Sequence, residues 1–208
     1  MDAKNPWAGI PAPDYDAHMG ANGQTAALRE IFAQVYGEVR PVCLAILGCT
    51  TGGDFASVDP GITAEVVGVD VNAAYLAQAS ELWAHLGERL TLIHADVLDA
   101  ALPEHRFDLV HAALILEWVD APRLLAKIRT LLAAGGVCTL VTQEPVSGVP
   151  AVSNTGVVSL QQLAGYITLR TAAEVSTLAA EAGLKVSSQQ LVPLPGGKAF
   201  TLSWLRAE

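Results

Sequence analysis

Basic residues are scarce in this chain. Lys and Arg number 12 against 21 Asp and Glu, a formal net charge of -9, and the few that occur form no cluster. A phosphate backbone or an anionic membrane surface would be repelled by such a field, so neither nucleic acid nor membrane is an expected partner. Cysteine is sparser still. Cys43, Cys49 and Cys138 lie in or beside apolar strand-like runs, with no C-x-x-C pair and no histidine cluster nearby. This excludes a disulfide framework and a zinc site, and no metal is expected. No run approaches the ~18 apolar residues that span a bilayer. The opening MDAKNPWAGIPAPDYDAH has neither a basic n-region nor an apolar h-region, so a cytoplasmic location is expected.

What remains is a well-cored globular chain, 51% hydrophobic and 16% charged over 208 residues. That length is most simply one domain. The stretch from Val42 to Asp70 organises it. Val42 to Leu47 is an unbroken apolar run of the kind a strand buried on both faces requires. Gly48, Gly52 and Gly53 follow, where backbone can approach a ligand closely and a short helix can begin. Glu65 onward reads as the next strand. Asp70 stands at its carboxyl end, 22 residues past Gly48, where an acid can accept both hydroxyls of a ribose. A plain strand-to-helix turn with an acid at a strand end is the competing reading.

Residues 1–23, with Pro6, Pro11, Pro13 and three glycines, predict an irregular arm with at most a helical turn. Its aromatics Trp7 and Tyr15 either pin it to the core or belong to a lid over a pocket. Residues 24–208 are expected to form a single domain. Gln24 to Val39 carries a helical apolar face that Pro41 ends. Asn72 caps a helix expected to reach Leu86, and strand three runs from Arg89 to Asp96. An acid there can accept from an exocyclic amine or cap the short segment after it. Strand four is FDLVHAAL. A helix over Pro122 to Leu132 follows, and Gly135-Gly136 turns into strand five, Val137 to Thr142. Two helical stretches, Leu160 to Ile167 and Thr171 to Ala182, precede two strands joined by Pro193-Leu-Pro-Gly-Gly, a connection short enough to make them antiparallel. The expected fold is α/β, a doubly wound, mostly parallel sheet ending in an antiparallel hairpin.

Over Gln24 to Glu208 these residues resemble the class I S-adenosylmethionine-dependent methyltransferases, whose Rossmann-like sheet has seven strands. In that family the first strand ends in acid-x-Gly-x-Gly-x-Gly, the second in a ribose acid and the third in an adenine acid. LGCTTGG, Asp70, the HAD at Asp96, FDLVHAAL and LLAAGG carry the likeness. YDAHM, VVGVDVNAAYL, ALILEWVD and GGKAF further resemble a bacterial subgroup of the class. The resemblance implies S-adenosylmethionine as cofactor. Its site would draw on Gly48, Cys49, Thr50 and Gly52 in the turn, Asp70 with Val71, Asp96 with Val97, and Ala112 on strand four. Two positions depart: Ile46 replaces the acid before the first glycine and Thr50 the middle glycine, both of which serve the cofactor's methionine part in the family.

Methyl transfer from a sulfonium requires alignment above all, and a base when the acceptor must lose a proton. His111, expected at the end of strand four, and His18 in the arm are the candidate catalytic residues. Tyr15, Met19 and Glu117 are the candidate contacts to a small-molecule acceptor. Lys198 in the hairpin either caps a strand or meets an anionic group. Two other readings stay open. One is a degenerate cofactor-binding partner subunit; the other is a NAD(P)-dependent oxidoreductase, whose fingerprint would need its second glycine at Thr50. The sequence leaves the oligomeric state open.

Overall fold

The structure, a computed structural model, describes residues 5–208; the first four residues of the expected arm lie outside the described residues. A 3-10 turn, Pro6–Gly9, leads into helix α1 (Ala12–Ala21) and then α2 (Gln24–Val39). Strand β1 (Cys43–Leu47), a 3-10 turn (Gly53–Ser57), β2 (Glu65–Asp70) and α3 (Ala73–Leu82) come next. They are followed by β3 (Leu90–His94), β4 (Phe107–Ala113), α4 (Ala121–Leu131) and β5 (Leu132–Gln143). The rest comprises α5 (Val158–Gln161), α6 (Ala172–Glu181), β6 (Leu184–Pro193) and β7 (Ala199–Ala207).

The seven strands form one sheet in the order β3-β2-β1-β4-β5-β7-β6. Pairing is parallel from β3 through β5, and β7 runs antiparallel to both β5 and β6. This is the doubly wound, mostly parallel sheet with an antiparallel hairpin that the pattern predicts. Alternation along the strands sorts the core into two layers. Leu44, Ile46, Val66 and Leu109 face α2 and α3 through Phe32, Val35 and Leu76. Ala45, Leu47, Val67 and Val110 face α4 and α6 through Leu124, Ile128 and Val175. Side-chain caps fix where helices begin: the Asn72 carboxamide oxygen accepts from the Ala74 and Tyr75 amides, Asp120 from Arg123, and Thr171 forms a capping box with Glu174.

Three local expectations are corrected. Residues 12–21 form a regular helix, because Pro11 and Pro13 stand at its start, where a missing amide costs nothing. The helix after Asn72 stops at Leu82 and continues only as 3-10 turns, with Gly87 at φ 56°. Strand five begins at Leu132, directly after α4, and the glycine pair is an irregularity inside it. A Cβ on Gly136 would stand 2.7 Å from the Phe107 carbonyl oxygen, a neighbour on β4. Among the described residues no helix is long and apolar enough to cross a membrane, and no group of His, Cys, Asp and Glu is arranged to hold a metal ion.

Candidate active site

A single cavity runs along the carboxyl ends of β1, β2, β3 and β4, walled by α1, the start of α2, the segment after β5 and Lys198. One end is built by the glycine turn. The Gly48 and Cys49 amides both donate to the Val69 carbonyl, at 2.8 and 3.0 Å, tying the turn to β2. The Asp70 carboxylate, only 6% exposed, accepts from the Thr50 amide at 2.9 Å and the Asn72 amide at 2.8 Å. Burial raises the pKa of its carboxyl, and the amides of Asn72, Thr50 and Val71 pull it back down. One bond on each oxygen leaves lone pairs to spare for a ligand. Asp96 caps its own turn by accepting from Leu98 at 2.9 Å and takes a long contact from the Asn5 amide group at 3.4 Å. Thr50 adopts φ 49° and Leu114, on the wall beyond β4, φ 53°. Both are left-handed conformations that non-glycine residues rarely adopt, and both occur against the cavity.

The other end is built from side chains. Glu117, 3% exposed, accepts from the Gln143 amide through Oε1 at 2.7 Å, while its Oε2 is buried without a partner. Burial pushes its carboxyl up to about 7. Lys198, 6% exposed, donates to the Ala151 carbonyl at 2.6 Å and to Gln143 Oε1 at 3.3 Å, and burial brings its ammonium down to about 8. His18 Nδ1 lies 2.8 Å from Thr155 Oγ1. Burial, aided by the Lys198 charge, lowers its pKa and keeps the ring neutral. Trp7 packs edge-on to Trp118 and Tyr15, and Tyr15 tilts against Tyr75. Trp7, Tyr15 and Trp118, with Ile10, Leu160 and Leu163, make a third apolar cluster that joins α1 to the segment after β5. Asn72 fastens the N-terminal segment to the sheet by donating to the Trp7 and Ile10 carbonyls at 3.0 and 2.9 Å.

Of the residues singled out from the sequence, Gly48, Cys49, Thr50, Asp70, Val71, Asp96 and Val97 line one end with Tyr15 beside Thr50 and Tyr75, His18 and Glu117 line the other, and Met19 also lines the cavity. Three do not line the cavity. His111 lies two residues short of the end of β4 and is 1% exposed. Its ring packs 4.8 Å from Phe32, Nδ1 meets Thr139 Oγ1 at 2.8 Å, and burial lowers its pKa to about 3, so it is a core histidine. Ala112 is buried on the opposite face of the same strand. Gly52 is a packing glycine: at φ 77°, a Cβ there would stand 2.3 Å from the Phe55 ring, which wedges beneath the turn. Arg29, Asp54, Trp118 and Gln143 also line the cavity, and no sequence motif marks them. Their common signal is weak, since each stands alone in its stretch of chain.

Residues 45–136 match the family model described as a methyltransferase domain. None of the curated proteins matches the chain. Among solved structures, the 1,6-didemethyltoxoflavin-N1-methyltransferase of Burkholderia thailandensis, with 1,6-didemethyltoxoflavin and S-adenosylhomocysteine bound, is similar over all of this chain and 92% of its own, at 21% identity and a TM-score of 0.74. The geranyl diphosphate C-methyltransferase of Streptomyces coelicolor A3(2) aligns over 88% of this chain and 78% of its own, at 15% identity and a TM-score of 0.68. The [4+2]-cyclase SpnF aligns over 87% and 80%, at 16% identity and a TM-score of 0.68. The matched segment is similar to a methyltransferase domain, and over nearly the whole chain the order of strands gives the fold of these solved structures.

Proposed function

We propose that the chain transfers a methyl group from S-adenosylmethionine to a small-molecule acceptor held between Glu117 and Lys198. The observation that carries this reading is a set of buried polar atoms without partners on residues lining one cavity: Trp7 Nε1, Tyr75 Oη and Glu117 Oε2. Buried donors and acceptors are nearly always satisfied, so such a set in a cavity asks for a polar ligand. The two carboxylates at the opposite end suit an adenosyl group. Asp70 has lone pairs free for ribose hydroxyls, and Asp96 Oδ2, with one long contact from Asn5, is available to an exocyclic amine. The turn backbone of Gly48, Cys49 and Thr50 and the side chains of Val71 and Val97 complete that end. The bound cofactor supplies a methyl on sulfur with a neutral thioether as leaving group.

The protein's own part is alignment and proton handling. Glu117 is the base we assign: it lines the cavity, its Oε2 is buried without a partner, and a carboxyl raised to about 7 is matched to taking a proton near neutrality. Neutral His18 stands beside the Lys198 charge as a second proton acceptor, and Lys198 favours an electronegative or anionic group on the acceptor. Tyr15 and Met19 fill out the apolar wall. The two methyltransferase neighbours are named for 1,6-didemethyltoxoflavin and geranyl diphosphate, in keeping with an acceptor of similar size here. A cyclase on the same fold shows that fold alone does not fix the reaction. The cofactor reading is tested by thermal shift. S-adenosylhomocysteine near 100 times its Kd should raise Tm by roughly 5–10 °C, while NAD and NADP leave it unchanged. No shift with S-adenosylhomocysteine overturns the reading, and a shift with NAD alone points to the oxidoreductase.

A further inference from the structure

The site described above leaves one gap. In the family pattern an acid before the first glycine serves the cofactor's methionine part, and this chain has Ile46 there, 1% exposed and packed with Phe32 and Phe55. Resting on the cofactor reading above, we propose that Asp54 and Arg29 form a clamp for the zwitterionic amino-acid tail of the cofactor, Asp54 taking the ammonium and Arg29 the carboxylate.

Three observations converge. First, the Asp54 carboxylate reaches the place that position 46 would otherwise have served. Its Oδ2 lies 3.9 Å from His111 Nε2, and His111 is the residue in register with Ile46 on the neighbouring strand, its ring against the same Phe32. An acid delivered by the segment after the glycines thus substitutes for one delivered by the strand.

Second, that carboxylate has no cation of its own. His111 is neutral, and among the described residues no Lys or Arg nitrogen comes within 4.0 Å of Asp54. Its carboxyl is half-buried, and burial pushes it up to about 7 even though the Arg29 charge pulls the other way. A half-buried acid on a cavity wall with no counterion in contact is suited to a cationic ligand group.

Third, Arg29 lines the same cavity from α2, and its Nε stands 3.8 Å from where a Cβ on Gly53 would be. Guanidinium and carboxylate therefore flank one glycine without pairing with each other. An α-amino acid carries both opposite charges on a single carbon and can bridge such a pair, with the guanidinium's fork matched to its carboxylate. Asp16, exposed on α1 and near enough to feel the Arg29 charge, competes for the guanidinium.

The test uses the full chain and three ligands in isothermal titration calorimetry: S-adenosylhomocysteine, its decarboxylated analogue that keeps the amine, and 5′-methylthioadenosine, which lacks the tail. Asp54→Asn should weaken both amine-bearing ligands by about tenfold or more and leave 5′-methylthioadenosine within about twofold, which also shows that the variant is folded. Arg29→Gln should weaken S-adenosylhomocysteine alone. Asp54→Asn binding all three as the unsubstituted chain does, or losing 5′-methylthioadenosine in equal measure, overturns the clamp while leaving the cofactor reading intact. An Arg29→Gln affinity for S-adenosylhomocysteine within about twofold of the unsubstituted chain overturns the arginine half. If the unsubstituted chain binds no S-adenosylhomocysteine, the cofactor reading itself fails.

Discussion

The two ends of the cavity are made by different means. At the Asp70 end, backbone amides do most of the positioning: Gly48, Cys49, Thr50 and Asn72 are tied to β2 by main-chain or carboxylate bonds within one compact stretch. At the Glu117 end, side chains from four separate parts of the chain meet: His18 from α1, Glu117 after β4, Gln143 at the end of β5, and Lys198 before β7. The first end is largely satisfied as it stands; the second holds a buried carboxylate oxygen with nothing to accept from. On the proposed reading, the cofactor end is fixed by local geometry and the acceptor end by long-range assembly, where single substitutions change side chains without dismantling the turn.

That contrast can be broken most forcefully at Asp70. Asp70→Ala removes the acceptor that both the Thr50 and Asn72 amides share, so the turn and the ligand contact fail together. It should lower S-adenosylhomocysteine affinity by about 100-fold and destabilise the chain by about 2–4 kcal/mol, read by calorimetry and thermal melting. A stable Asp70→Ala protein with intact affinity would mean that the turn does not depend on the carboxylate.

At the other end the expected effect is smaller and depends on pH. The folded state holds the Glu117 carboxyl near 7, above its ordinary value of 4.5. Its contribution to stability is therefore full below about pH 4.5 and is lost as pH rises through 7. Glu117→Gln has no such loss, so it should melt roughly 10 °C above the unsubstituted chain at pH 8 and match it at pH 4.5. Asp54, also raised, is common to both proteins and cancels in the difference. A gap that stays constant across this range would show that Glu117 is not the group titrating.

The smallest expected effect sharpens the contrast by its absence. Lys198→Met retains the length of the stem but deletes an ammonium from the acceptor end only. S-adenosylhomocysteine affinity should stay within about twofold of the unsubstituted chain. A loss of tenfold would show that the two ends are coupled.

The same division explains what could be read from the sequence. Asp70 and Asp96 were legible because each ends an apolar run, and strand ends in a parallel sheet share one edge. His111 was misplaced because β4 is buried on both faces, so no alternation of apolar and polar residues marks which side a residue takes or where the strand stops. Gly52 was read as a ligand contact because a glycine that admits a cofactor and one that admits Phe55 look alike in a string. Trp118 and Gln143 carry no local pattern; they become neighbours of the cavity only when β4, β5 and the segment after them are laid side by side. Glu117 was noticed for a simpler reason, as a charge inside an apolar stretch.

The position of β7 gives the sheet a further property. It sits between β5 and β6, so it closes one exposed strand edge and supplies the other strand with its only partner in the sheet. Lys198 immediately precedes it. The strands from β3 to β5 pair among themselves without residues 199–207, whereas the cavity wall at Lys198 rests on β7, through contacts to Gln143 and Ala151 that are far apart along the chain. Placement of Lys198 is therefore tied to covering the β5 edge: with β7 in place, the open edge on that side of the sheet belongs to the largely exposed β6.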